Sequence, residues 1–290
     1  MHPSKFLSLR GLTDNLNDKR LRQVIHPQAW SPVHLRALKI TLVEGVTGTR
    51  FTDGAPDAIL EKLELLELIE GILGVEKPYG PVNNGRTAII EIIVALGSRL
   101  EISGANGHAE KFVWVVVKYL TDHVLLNSRE CTIMNYDRYD AKVNLWLKFK
   151  NLRRFFNPNI VIYPNNRTSI LTFVTPSLLH GNPNCQVVGY LLAIALKGFR
   201  IHRERTKERP YLVRLDNDSC AYFARTLVTR KYLDTLQNGT IAEDEEGFEV
   251  EISKVYDLKD TYQRAAFVAS LTCVYAKILK YEKLLRHSHN

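Results

Sequence analysis

Apolar residues recur at helical spacing through most of this chain, and that recurrence restricts its possible folds more than any other feature. Helices are expected over Asp14–Ile25 and Pro32–Val43, the second with Ser31 as N-cap and Pro32 at the first helical position. Pro56–Leu73 follows, stopped by Gly74, and Thr87–Ile102 ends before Ser103-Gly104. The same periodicity places helices at Ala109–Leu126, Asp140–Phe156, Cys185–Gly198, Ser219–Leu236 and Leu258–His287.

Strand signals are sparse. Ile160–Tyr163 and Ser169–Thr175 flank a "PNNR" turn and read as a hairpin. Phe248, Val250 and Ile252 alternate with Glu249, Glu251 and Ser253, the pattern of a half-buried strand. No βαβ rhythm and no internal repeat accompany them. The sequence therefore predicts a mainly α protein, a two-lobed helical bundle with a small β-hairpin near the middle. Turn residues concentrate in "FNPN", "YPNN" and "HGNPN", which divides the chain into an N-terminal lobe (1–156), a hairpin connector (157–182) and a C-terminal lobe (183–290).

The 290 residues, 45% hydrophobic and 24% charged, can bury a substantial core. The apolar runs Phe112–Val117 and Val187–Leu196 are far shorter than the roughly 20 residues that cross a bilayer. The start, "MHPSKFLSLRGL", lacks the apolar segment of a secretory signal, so an intracellular, cytoplasmic protein is expected, with the nucleus also open to it. Cysteines 131, 185, 220 and 273 form no CxxC pair and are expected to be reduced, with neither disulfides nor zinc.

The segment "FTDGAPDAILEKLELLELIEGILGVEKPYG" (51–80) tests for metal-dependent nuclease chemistry. Asp57 followed by Glu76 and Lys77 approaches the carboxylate and Glu-x-Lys set of such enzymes. On a strand, however, adjacent Glu76 and Lys77 would point to opposite faces and could not share a metal-bound water. The intervening residues fit an amphipathic helix, with Ile59, Leu63, Leu66, Ile69, Ile72 and Leu73 inward and Glu61, Glu64, Glu67 and Glu70 on a solvated face. Gly104 to Gly107 has the spacing of a backbone-clamping GxxG loop, but the three-stranded sheet such a module needs is not evident, and a helix-terminating turn explains the same residues. The histidines show no ligand spacing. No catalytic residues, metal or cofactor are expected.

The net charge of +8 is unevenly distributed. In "DAKVNLWLKFKNLRRFF" (140–156) a helix would set Lys142, Lys150, Arg153 and Arg154 opposite an apolar stripe, with Trp146 one turn from each lysine. Cations beside an indole suit a single strand, since charges neutralise phosphates while the ring stacks on a base. The second cluster, "KGFRIHRERTKERPYLVR" (197–214), supplies Lys197, Arg200, Arg203, Arg205, Lys207, Arg209 and Arg214. Arginine forks bind phosphate oxygens bidentately at any physiological pH.

In the last helix Phe267, Leu271, Val274, Ile278, Tyr281 and Leu285 form a short heptad-like seam able to serve self-association, preceded by the acidic run "EDEEGFEVE" (243–251). These features point to sequence-independent, non-enzymatic binding of single-stranded RNA or another polyanion by a homo-oligomer, as in a nucleoprotein coat. A protein–protein scaffold and a metal-dependent nuclease are the alternatives. The RNA reading requires the two basic clusters to share one concave surface.

Overall fold

In the computed structural model the described residues are 32–46, 51, 60–75, 84–103, 108–124, 131–135, 143–147, 152–156, 160–164, 171–174, 183–201, 203–216, 219–238 and 246–287. The expected helix at Asp14–Ile25, and Asp53, Asp57, Glu76, Lys77, Gly104 and Gly107, lie outside them.

The expected helical bundle is overturned by a mixed β-sheet with helices on both faces. Its strand order is β1 (Ile40–Val46), β11 (Phe248–Ser253), β9 (Cys220–Thr226), β8 (Tyr211–Leu215), β6 (Leu171–Val174), β5 (Ile160–Pro164), β2 (Cys131–Asn135), with β12 (Tyr256–Asp257) also paired to β9. β1, β11, β8 and β6 run in one direction, against β9 and β5. The expected hairpin exists, with Ile160 opposite Phe173, but it belongs to this sheet rather than to a connector. Strands from all three expected segments meet in one sheet, which also overturns the two-lobed reading.

Each correction has a local physical reason. The expected helix at Pro32–Val43 stops as α1 (Pro32–Ala37), because Lys39 takes a left-handed φ of 54° and Ile40-Thr41-Leu42-Val43 favours a strand. Ser219–Leu236 splits into β9, the short β10 (Val228–Thr229) and α6 (Arg230–Asn238). β9 lies inside the sheet and is buried on both faces, so Ala221 to Ala224 reads as an apolar run without alternation. Asp140–Phe156 is replaced by a hairpin of β3 (Val143–Leu147) and β4 (Leu152–Phe156). Its bulky apolar residues fit either structure by local rules. The hairpin's β3 backbone lies beside α5 (Pro183–Ile201) and α6.

Side-chain alternation distributes the two cores. Tyr211, Val213, Leu215, Ala221 and Phe223 face α2 (Leu63–Leu73), α3 (Asn84–Ser103), α4 (His108–Tyr119) and α7 (Thr261–His287). Leu212, Tyr222, Ala224, Val250 and Ile252 face α1, α5 and α6. Within the first core Phe223 stacks on Phe267 with centroids 5.4 Å apart. α5 is the crossover between the parallel neighbours β6 and β8, and every residue of Val187–Leu196 is buried, so burial on all sides explains the nearly unbroken apolar run.

α2 ends at Gly74 with φ 71°, as a left-handed C-cap requires. Its buried stripe is Leu65, Leu68 and Ile72, while Leu63 and Leu66 are exposed, so the expected inward face is rotated. Glu64 and Glu67 are not on a purely solvated face, because Arg86 of α3 reaches them at 3.5 and 3.0 Å. α7 is anchored near its start by Arg264, 3% exposed, whose guanidinium donates to the carbonyl of Leu258 at 2.8 Å and the carboxylate of Glu101 at 2.6 Å.

Candidate nucleic-acid interface

β7 (Lys207–Glu208) leaves the turn after α5 and pairs with β10, bringing the second basic cluster to the start of α6. This is the end of the molecule where β8, β11 and β1 begin. Four concavities with shared walls run along it. The largest, about 880 Å³, includes Lys207, Arg209, Lys231, Lys277, Glu246, Phe248 and Glu249. It shares Lys207, Thr229 and Lys231 with a second of about 520 Å³, which shares Arg230 and Asp234 with a third of about 560 Å³ holding Arg200 and Arg203. On its other side it shares Gly247, Phe248 and Glu249 with a fourth of about 420 Å³, where Arg36 and Lys39 lie. Arg36, Arg200, Arg203, Lys207, Arg209 and Lys231 are exposed along this track.

The track rests on a framework of other charged groups. Arg230 donates to the carbonyls of Phe199 at 3.1 Å and Arg205 at 2.9 Å, and its guanidinium covers the Phe199 ring. A cation is favourable there because the last carbonyls of α5 carry the negative end of its dipole. Thr229 Oγ1 accepts from the amide of Tyr232 at 3.2 Å and caps α6. The Tyr232 hydroxyl donates to the carbonyl of Leu38 at 2.8 Å, joining α6 to the turn that carries Lys39.

Gly247 sets the opposite wall. A Cβ there would meet the carbonyl oxygen of Lys39 at 2.1 Å, so only glycine lets β11 start this close to β1. The half-buried ring of Phe248 then stands edge-on to Tyr232 with centroids 4.8 Å apart. Glu246 and Glu249 are exposed on the same wall, whereas Glu251 is paired with Arg225.

The candidates expected from sequence separate into distinct roles. Arg200, Arg203, Lys207 and Arg209 line the track. Arg205 does not act as an exposed phosphate ligand: its guanidinium is 8% exposed and paired with Glu208 at 3.1 Å. Lys197 is half-buried on α5 and lines none of these four concavities. Arg214, 6% exposed, is inside the protein at the opposite end of β8, paired with Asp216 and lying over the Tyr222 ring. There the Tyr222 hydroxyl donates to Asn184 at 3.4 Å and Asn184 donates to Glu44 at 2.6 Å, a polar strut that reaches the surface. Burial pushes the Tyr222 hydroxyl well above its ordinary pKa.

The first cluster is changed in kind. Trp146 lies on β3 opposite Arg153, and Leu145 opposite Arg154, so the one-turn helical spacing between Trp146 and the lysines does not exist. Lys142 and Lys150 lie outside the described residues. The self-association seam is also corrected: Phe267, Leu271, Val274 and Ile278 are buried in the chain's own core. Tyr281 and Leu285 lie on the same helix, beyond the side chains described.

Arg36, Lys39, Lys231 and Lys277 were missed because nothing in their local sequence marks them as neighbours of Lys207. Among the described residues no group of three or more His, Cys, Asp or Glu could hold a metal ion, and no helix is long and apolar enough to cross a membrane. No protein-family model matches the chain, and no curated protein matches it significantly.

Proposed function

We propose that this protein binds single-stranded RNA without cleaving it, holding the sugar–phosphate backbone along the track from Arg200 to Lys39. The observation that carries the reading is the run of connected concavities with six exposed cations, five of them around the junction of α5, β7 and α6 and the sixth, Arg36, on α1. Such a surface attracts phosphates over distances of about a Debye length, roughly 8–10 Å at physiological salt. The β3–β4 hairpin, with Trp146 and Arg153, lies beside the same two helices and supplies a candidate second contact. Assembly of several copies along one strand belongs to this reading, through a surface other than the buried part of the α7 seam.

A protein–protein adaptor is the second reading. Glu246 and Glu249 favour it, because a wall of carboxylates beside Lys207 and Lys231 would also suit a mixed-charge polypeptide.

Fluorescence anisotropy with an unstructured labelled RNA of about 20 nucleotides tests the proposal. Saturable binding at low salt, falling steeply as salt rises and weakened at least tenfold by the combined changes R203E, K207E and K231E, is the expected result. Absence of binding in the unchanged protein, or binding indifferent to these charges, would transfer the case to the adaptor.

A further inference from the structure

The outer face of α3 is apolar where a surface helix ordinarily turns charge to water. Ile90, Ile93, Gly97 and Leu100 are buried, and on the opposite side of the helix Ala88, Ile92, Ala95, Arg99 and Ile102 are all exposed. Single exposed apolar residues are ordinary. These five, however, follow one another at spacings of four, three, four and three, the repeat by which one helix packs along another. Ile102 is 86% exposed and Ile92 51%. At the same end Tyr262 of α7, next to the Thr261 that donates to Glu101, adds a ring that is 76% exposed.

We infer that α3 is a self-association surface whose occupant is α3 of a second copy, packed antiparallel about a two-fold axis at the level of Ala95. Such an axis brings together positions equidistant from it. Arg99 then lies beside Glu91 of the second copy and Ile102 over its Ala88, each contact made twice, with large residues set against small ones. A parallel pair would set Glu91 against Glu91 and Arg99 against Arg99, so the exposed charges select the antiparallel one. Arginine carries five donors, so Arg99 meets that carboxylate alongside its interaction within its own chain. None of these residues lines the four concavities, so the inference goes beyond the RNA reading and does not depend on it.

Sedimentation equilibrium of the RNA-free protein from about 1 to 200 μM tests this, since one helix per copy makes an interface of the small, weak class. A reversible monomer–dimer equilibrium is expected. Glu91→Arg and Arg99→Glu should each weaken dimerisation about tenfold or more by setting like charges together, and E91R/R99E should recover most of the loss. On one helix, pairing reaches only three or four positions, so recovery between residues 91 and 99 reports a contact between copies. Ile102→Ser should also shift the equilibrium to monomer. Monomer at every concentration overturns the inference and leaves the face to a different protein. Dimers indifferent to Ile102→Ser overturn it as well, as do charge variants that the double exchange fails to restore. Circular dichroism of each variant, all at exposed positions, confirms that it is folded. No RNA is present, so failure of the RNA reading leaves this result standing.

Discussion

The carboxylate of Glu208 is packed against Gly198, where an added Cβ would come within 2.8 Å of its carboxyl carbon. Glycine at the end of α5 thus makes room for an acidic side chain that is 8% exposed and neutralised by Arg205 at 3.1 Å. The pair holds the turn between α5 and β7, and through it the placement of Arg203 and Lys207.

Gly198→Ala should therefore destabilise by about 1–3 kcal/mol, the usual range for overpacking. Glu208→Ala, which removes the buried carboxylate paired with Arg205, should cost about 3–5 kcal/mol. Because both act on one site, the combined cost in the double variant should fall short of the sum of the two single costs. Chemical denaturation of the four proteins measures this; strict additivity would show that Gly198 and Glu208 act separately.

Arg264 joins α3 to α7 by donating to Glu101, to the carbonyl of Leu258 and, at 3.3 Å, to the carbonyl of Gly97. Arg264→Met should cost about 3 kcal/mol or more, since it strands buried carbonyls as well as removing the ion pair. The hydrogen bond from Arg264, followed by that from Thr261, holds the Glu101 carboxyl below its ordinary value of 4.5. A lowered folded pKa means that the stabilisation is present above 4.5 and disappears as pH falls through the folded value. Acid titration of stability should accordingly be shallower in Glu101→Gln than in the unchanged protein.

The salt dependence of RNA affinity should separate the exposed cations from the structural ones. Removing one cation that touches a phosphate of a single strand lowers the log–log salt slope by about 0.7. Arg203→Gln and Lys207→Gln should each reduce the slope by that order at unchanged thermal stability. Arg205→Gln should lower thermal stability and leave the slope nearly unaltered. Slopes and melting temperatures measured side by side check the assignment.

Cys185 is completely buried, and burial, reinforced by Glu44, pushes its thiol up to about 11. The neutral thiol is the folded form, so this contribution to stability is full below 9.0 and disappears as pH rises through the folded value. In a Cys131→Ser background, a maleimide at pH 8 should label the half-buried Cys220 first, with buried Cys185 and Cys273 following only on unfolding. Peptide mapping after timed labelling distinguishes the order.

The acidic residues of α2 show how far local pattern carries. Leucine and glutamate spacing correctly implies a helix ended by Gly74, yet "LELLELIEGIL" contains more than one stripe that could face inward. Tertiary packing chose Leu65, Leu68 and Ile72, and aimed Arg86 at Glu64 and Glu67. A periodic sequence specifies that a helix has an apolar side; a neighbouring element decides the angle at which it is used.

Sequence alone determined the helices that became α3, α4, α5 and α7, and the alternation of β11, because capping and side-chain period act over a few residues. It also determined that positive charge concentrates after α5. Tertiary structure decided that 220–226, 143–147 and 152–156 form strands, since bulky apolar runs satisfy either local geometry and only pairing partners separate them. It likewise decided that Arg205 and Arg214 are struts while Lys207 lines a groove with Lys231 and Lys39 nearby. Burial and charge convergence depend on which distant segments meet, and a local pattern carries no record of that.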